Sequence, residues 1–170
     1  MSKTWAGAFV RATELGLRLF RPKRRWIIRS LIYGRMNGTV PVSTRLGELT
    51  FHICNRQTLK FAHDFETFEP DTLRWIEQLP DDAVLWDIGA NVGMFSLYAA
   101  LRPGLRVVAF EPAAATYDTL VKNIQLNNSG SRISAYCIAL GDSTRRNVLR
   151  MSSFEAGHYM HGLQSDDPPR

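Results

Sequence analysis

A chain of 170 residues fits one domain by length, and its 45% apolar and 22% charged content excludes wholesale disorder. No run reaches the roughly 18 apolar residues of a membrane span. The two cysteines, Cys54 and Cys137, give neither zinc-ligand spacing nor a disulfide framework, which points to a reducing, cytoplasmic setting. The formal charge of +5 is unevenly placed: residues 1–36 carry nine Lys or Arg against one acid, Glu14, whereas the remainder carries twelve bases and fifteen acids.

The basic N-terminal arm (residues 1–36) reads as one or two short amphipathic helices interrupted at Pro22. Such a segment suits either an anionic membrane surface or nucleic acid, or simple packing against its own domain or a second subunit. Residues 37–170 form the domain proper. "TVPVSTRLGELTFHICN" (39–55) predicts two strands around a turn at Leu46-Gly47-Glu48. After a loop, "EPDTLRWIEQLP" (69–80) predicts a helix, with Pro70 in its first turn and Leu73, Ile76 and Leu79 on one face. Strand and helix then alternate: "AVLWDIG" (83–89) as a buried strand, "VGMFSLYAALRPG" (92–104) as a helix, and "RVVAFEP" (106–112) as a strand. "AATYDTLVKNIQLNN" (114–128) follows as a helix and "RISAYCIALGD" (132–142) as a strand. That order implies an α/β fold with a parallel sheet and right-handed connections.

The chemistry is concentrated where the first of these strands ends, in "DIGANVG". Open parallel sheets bind ligands at the carboxyl ends of their strands. Gly89 and Gly93 permit backbone angles that a Cβ disfavours. Eighteen residues past Gly93, the next strand ends in Glu111, the position expected for an acid that takes the hydroxyls of an adenosine ribose. A dinucleotide fingerprint would require glycines where Asn91 and Met94 stand, and Asp87 puts a carboxylate where a pyrophosphate would lie. The pattern therefore favours a ligand with adenosine and positive charge, which describes S-adenosylmethionine. The bland alternative is that Asp87 caps the following helix and the glycines only make a turn.

"VLWDIGANVGMFSLYAA", "VVAFEPAAATYDTLVKNIQLNN" and "AYCIALGD" closely resemble the FkbM-type family of S-adenosylmethionine-dependent methyltransferases, and the resemblance covers roughly residues 60 to 165. It implies a Rossmann-like class I methyltransferase fold and transfer of a methyl group to an oxygen of a sugar or small metabolite. It places Asp87, Gly89, Ala90, Asn91 and Gly93 around the methionyl part and the ribose, Glu111 on the ribose hydroxyls, and Leu140, Gly141 and Asp142 beside the adenine. Glu69 is a further candidate for the amino-acid end of the cofactor, or a first-turn charge favoured by the helix dipole.

Family members continue through a fourth strand that has no counterpart before this sequence closes at "QSDDPPR". The expectation is a truncated member with sheet order 3-2-1, lacking strands 4 to 7 and the acceptor pocket, and inactive alone. Its first sheet strand would then be an exposed edge, open to pairing with another chain. No general base and no metal site is identified: His158 and His161 share "GHYMHG" without an acidic third ligand in register. No nucleic-acid partner is expected, and membrane contact would run through the basic arm. Two other readings are a nicotinamide-dependent oxidoreductase and a non-enzymatic protein that uses the arm on anionic membrane or nucleic acid.

Overall fold

The computed structural model describes residues 12–13, 15–21, 24, 28, 38–158 and 162–163. The chain divides into two compact units, Met1–Gly38 and Thr39–Arg170. In the first, residues 15–17 are helical; the rest of the predicted arm, like His161, lies largely or wholly outside the described residues.

The second unit opens with a hairpin, β1 (Gly38–Thr44) and β2 (Gly47–Ile53), turning at Arg45-Leu46. Three helices follow: α1 (Arg56–His63), α2 (Phe65–Phe68) and α3 (Pro70–Glu77). Only α3 is anticipated by apolar periodicity; α1 and α2 replace the expected loop. The signal for α1 is polar instead. The Asn55 side chain accepts from the Thr58 amide at 2.9 Å while the Thr58 hydroxyl accepts from the Asn55 amide at 3.1 Å, a reciprocal cap that satisfies two otherwise orphaned donors.

The alternating elements are β3 (Val84–Ile88), α4 (Met94–Ala100), β4 (Arg106–Phe110), α5 (Ala114–Leu126) and β5 (Ile133–Tyr136), followed by the short β6 (Leu149–Arg150) and β7 (Gly162–Leu163). β3, β4 and β5 form a parallel sheet in that order, with Leu85 opposite Val107 and Val107 opposite Ile133. The third strand is shorter than expected. The last ladder bond runs from the Glu111 amide to the Tyr136 carbonyl, and Pro112 has no N–H with which to continue it.

Two right-handed crossovers moving the same way along a sheet put both helices on one face. Leu85, Val107, Ala109 and Ile133 are buried on that face with Leu97 and Leu120 of the helices. The opposite face departs from the expectation of a strand buried on both sides: Trp86 is 61% and Ile88 63% exposed, and Tyr136 is half-exposed. Trp86, Phe110 and Tyr136 form an aromatic row across it at successive centroid distances of 5.7 Å. Among the described residues, β3 is an edge strand of its sheet.

The hairpin joins the sheet unit through helix side chains. At the C-terminal cap of α5, Asn127 Oδ1 accepts from the Thr50 amide and its Nδ2 donates to the Thr50 carbonyl, both at 2.8 Å, so the side chain imitates a neighbouring strand. Fully buried Asn123 accepts from the His52 amide at 2.7 Å and donates to the Val92 carbonyl at 2.8 Å. Phe51, Phe65 and Tyr98 meet in series through tilted and edge-on ring contacts, and Tyr98 donates its hydroxyl to Glu77.

Replacing Asn123 by Ala strands a buried amide and a buried carbonyl together. At about 1–3 kcal/mol per unsatisfied buried group, the expected loss is about 2–4 kcal/mol, read as a lower urea midpoint with an unchanged m-value. Trp86→Ser combined with Ile88→Thr is expected to shift that midpoint little and to reduce light scattering at high protein concentration, because it removes apolar surface that is already exposed.

Candidate functional site

The site lies where β3 and β4 end. The chain leaves β3 through Gly89 (φ 82°), Ala90, Asn91 (φ 52°) and Val92 to Gly93 (φ 88°), which begins α4. Gly93 is needed on two counts: its φ is left-handed, and a Cβ there would lie 2.4 Å from Leu120 Cδ1 of α5. The turn is pinned to β4 by the Gly89 and Ala90 amides, each donating to the Phe110 carbonyl at 2.9 Å.

Glu111 is the central side chain. It is almost fully buried, and its carboxylate accepts from the Asn91 amide at 3.0 Å through one oxygen and from the Ala113 amide at 2.8 Å through the other. Each oxygen retains a lone pair, so the group orders both turns and keeps acceptor capacity for a hydroxyl.

Asp87 sits two residues before Gly89 on the helix-covered face of β3, half-buried, and accepts from the Ser96 hydroxyl at 2.5 Å. That bond ties it to the first turn of α4, as the capping alternative anticipated in part, although the helix begins at Gly93 with no side-chain cap. Burial pushes the Asp87 carboxyl above the usual carboxylate range; the Ser96 bonds oppose the shift, and the negative charge of Glu69 adds to it.

Two clefts flank this frame. The first, about 400 Å³, is lined by Phe61, Phe68, Glu69, the 89–92 turn, Met94 and Phe95. Here the exposed Glu69 carboxylate accepts from Thr72 at 3.0 Å. The second, about 790 Å³, lies beyond β5 and is lined by Pro112 and by residues 137 to 147, including Leu140, Gly141 and Asp142. Glu111 links the two, bonded to Asn91 of the first and adjacent in sequence to Pro112 of the second. The candidates thus fall into three connected groups: Asp87, Glu69 and the glycine turn; Glu111; and the 140–142 turn. Sequence reasoning missed Ser96, a lone hydroxyl in the apolar run "MFSLYAA", and Asn123, which fixes the Val92 carbonyl from α5. Among the described residues no cluster of His, Cys, Asp and Glu has the makings of a metal site, and His158 faces only Glu155, at 3.7 Å.

The raised carboxyl of Asp87 has a definite sign. Between the ordinary aspartate range and its higher folded value, the folded state binds more proton than the unfolded chain, so stability falls as pH rises through that window. Asp87→Asn removes that fall: its urea midpoint should exceed that of the wild type at neutral pH, and the two should converge in acid.

No family model matches the chain. Curated relatives do. The chain is 41% identical over 69 residues to the methyltransferase sdnD of Sordaria araneosa, covering 40% of this chain and 27% of that protein. It is 34% identical over 96 residues to the 31-O-demethyl-FK506 methyltransferase FkbM of Streptomyces tacrolimicus, covering 56% of this chain and 35% of that protein. The chain therefore spans about a third or less of the length of these relatives. A solved structure of TYW2 from Pyrococcus horikoshii in complex with MeSAdo superimposes with a TM-score of 0.43 at 22% identity, over 61% of this chain and 37% of that one. Over the matched stretch, the chain is similar in sequence to methyltransferases, FkbM of Streptomyces tacrolimicus among them.

Proposed function

We propose that residues 60–158 build the S-adenosylmethionine site of a methyltransferase acting on an oxygen of a sugar or small metabolite. The observation that carries this reading is the arrangement of acids without a phosphate cradle. Asp87 and Glu69 flank the glycine turn, and Glu111 waits at the end of the neighbouring strand between two clefts. A diphosphate in the first cleft would meet the Glu69 carboxylate that lines it, with the charge of Asp87 close enough to couple to Glu69, whereas an ammonium or sulfonium would be attracted by both.

Glu111 would accept from the ribose hydroxyls while holding the Asn91 and Ala113 amides. Glu69 and Asp87 would orient the methionyl end, and the turn at Leu140, Gly141 and Asp142 would border the adenine. The cofactor supplies an activated methyl group when bound. The protein's task is then alignment and exclusion of water, for which Phe61, Phe68 and Phe95 give the first cleft an apolar wall. The domain behind the arm is net acidic, which favours a small acceptor over a polyanion. Cys54 and Cys137 are free thiols, in keeping with a cytoplasmic setting. No described helix is long and apolar enough to cross a membrane.

The test is calorimetric titration of the chain with S-adenosylhomocysteine, beside Asp87→Asn and Glu111→Gln. Saturable binding is expected, weakened about 10- to 100-fold in either variant, since a charge-assisted hydrogen bond is worth about 1.5–3 kcal/mol. A reduced nicotinamide dinucleotide should not bind. A chain that is folded by circular dichroism and takes up no S-adenosylhomocysteine would overturn the reading.

A further inference from the structure

Residues 155–158, "EAGH", lie against the glycine turn as a strap held at three separate elements. The Ala156 carbonyl accepts from Asn55 Nδ2, at the start of α1, at 2.8 Å. The Gly157 amide donates to the Thr116 hydroxyl, in the first turn of α5, at 3.3 Å. The Gly157 and His158 carbonyls accept from Asn91 Nδ2 at 3.3 and 3.4 Å. Ala156 is buried beneath these contacts, and Gly157 lies against Phe61, a wall of the first cleft. Gly157 has a left-handed φ of 83°, and a Cβ there would stand 3.3 Å from both Phe61 and Gln57.

Asn91 stands on both sides of this arrangement. Its amide is bonded to Glu111 and its side chain holds the strap, yet its Oδ1 is buried without a hydrogen-bond partner, the sole such side-chain atom among the described residues. A carboxamide with two long bonds on one side and an unsatisfied acceptor on the other is a weak latch, since a buried acceptor left alone forfeits its hydration. Any ligand that draws on Glu111 or the 89–92 turn therefore acts directly on one of the three groups that hold the strap, and the one with the longest bonds.

We propose that Asn91 is a positioning residue that couples ligand binding in the glycine turn to docking of the 155–158 strap, so that the strap is held more tightly against Asn91 and Phe61, beside the first cleft, when S-adenosylmethionine or its product is bound. This rests on the methyltransferase reading above. Linkage is reciprocal: if the ligand favours the docked strap, undocking the strap weakens the ligand by the same factor.

The experiment is hydrogen exchange across residues 150–163, with and without S-adenosylhomocysteine, alongside calorimetric affinity. Three chains are compared: wild type, Gly157→Val and Asn91→Gly. Gly157→Val obstructs docking through its Cβ and its backbone angle without altering a group assigned to the ligand. Asn91→Gly keeps the left-handed backbone and removes the latch together with a side chain that lines the first cleft, so Gly157→Val is the deciding variant. In the wild type, ligand should slow exchange in the strap about 10-fold or more. In both variants that slowing should vanish, and affinity should fall by a matching factor, with the urea midpoint of each free variant measured alongside to establish that the domain remains folded. Normal affinity with unchanged strap exchange would overturn the coupling and leave the cofactor site standing. Loss of affinity only in Asn91→Gly, with Gly157→Val behaving as wild type, would also overturn it, by reducing Asn91 to a part of the turn. Absence of binding by the folded wild type would remove the methyltransferase reading and the coupling together.

Discussion

The site depends on one buried carboxylate. Glu111 lies at the end of β4 with each oxygen engaged by a backbone amide, one from the turn after β3 and one from its own chain two residues on. A glycine-containing turn with left-handed residues at 89, 91 and 93 has many conformations open to it, and ordering it costs entropy. The charge-assisted bond to Asn91, with the two amides on the Phe110 carbonyl, selects one of them. The same group that would read a ribose thus first builds the place where the ribose would lie. Preorganisation of this kind means that little structure has to be made at the moment of binding.

Asn123 extends that constraint outward. Its carboxamide is shared between the Val92 carbonyl at the inner end of the turn and the His52 amide of the hairpin, so the turn is braced from β4 on one side and from α5 and β2 on the other. Asn127 repeats the device one helical turn on, at Thr50. An edge strand presents a row of unpaired backbone groups, and here α5 answers part of that row of β2 with side-chain amides. The hairpin is therefore part of the support of the site and not a separate decoration.

How much of this the sequence discloses follows from the range of each interaction. The parallel sheet and the glycine–acid pattern are legible because they are encoded by contiguous apolar runs and by a spacing of eighteen residues between Gly93 and Glu111. The helix at Arg56–His63 is harder to read because its apolar side is short, Phe61 and Ala62 with Phe65 just beyond, and its start is marked by the polar pair Asn55 and Thr58. The bonds from His52 to Asn123, Thr50 to Asn127 and Asn91 to Gly157 span 71, 77 and 66 residues, and nothing local distinguishes those asparagines from solvent-facing ones. Burial on both faces of β3 was likewise expected from its continuous apolar run. Composition cannot say on which face the crossover helices land; the direction of strand order does, and here both lie on one side.

Asp87 shows how the two requirements of the site oppose each other. Burial disfavours its charge, and Glu69 nearby makes that worse, so in the free protein the carboxylate is a source of instability that Ser96 only partly offsets. Nothing in the packing of β3 calls for an acid: Leu85 and Ala109, on the same face, are buried apolar residues. A group that weakens the fold and is answered only by the hydroxyl and backbone of Ser96 acquires a purpose if a cation joins it, because the cation would then be bound by the charge that the fold disfavours. Local rules broken without local compensation mark functional sites. In this chain the breach at Asp87, the left-handed turn beside it and the orphaned acceptor of Asn91 all fall within residues 87–93.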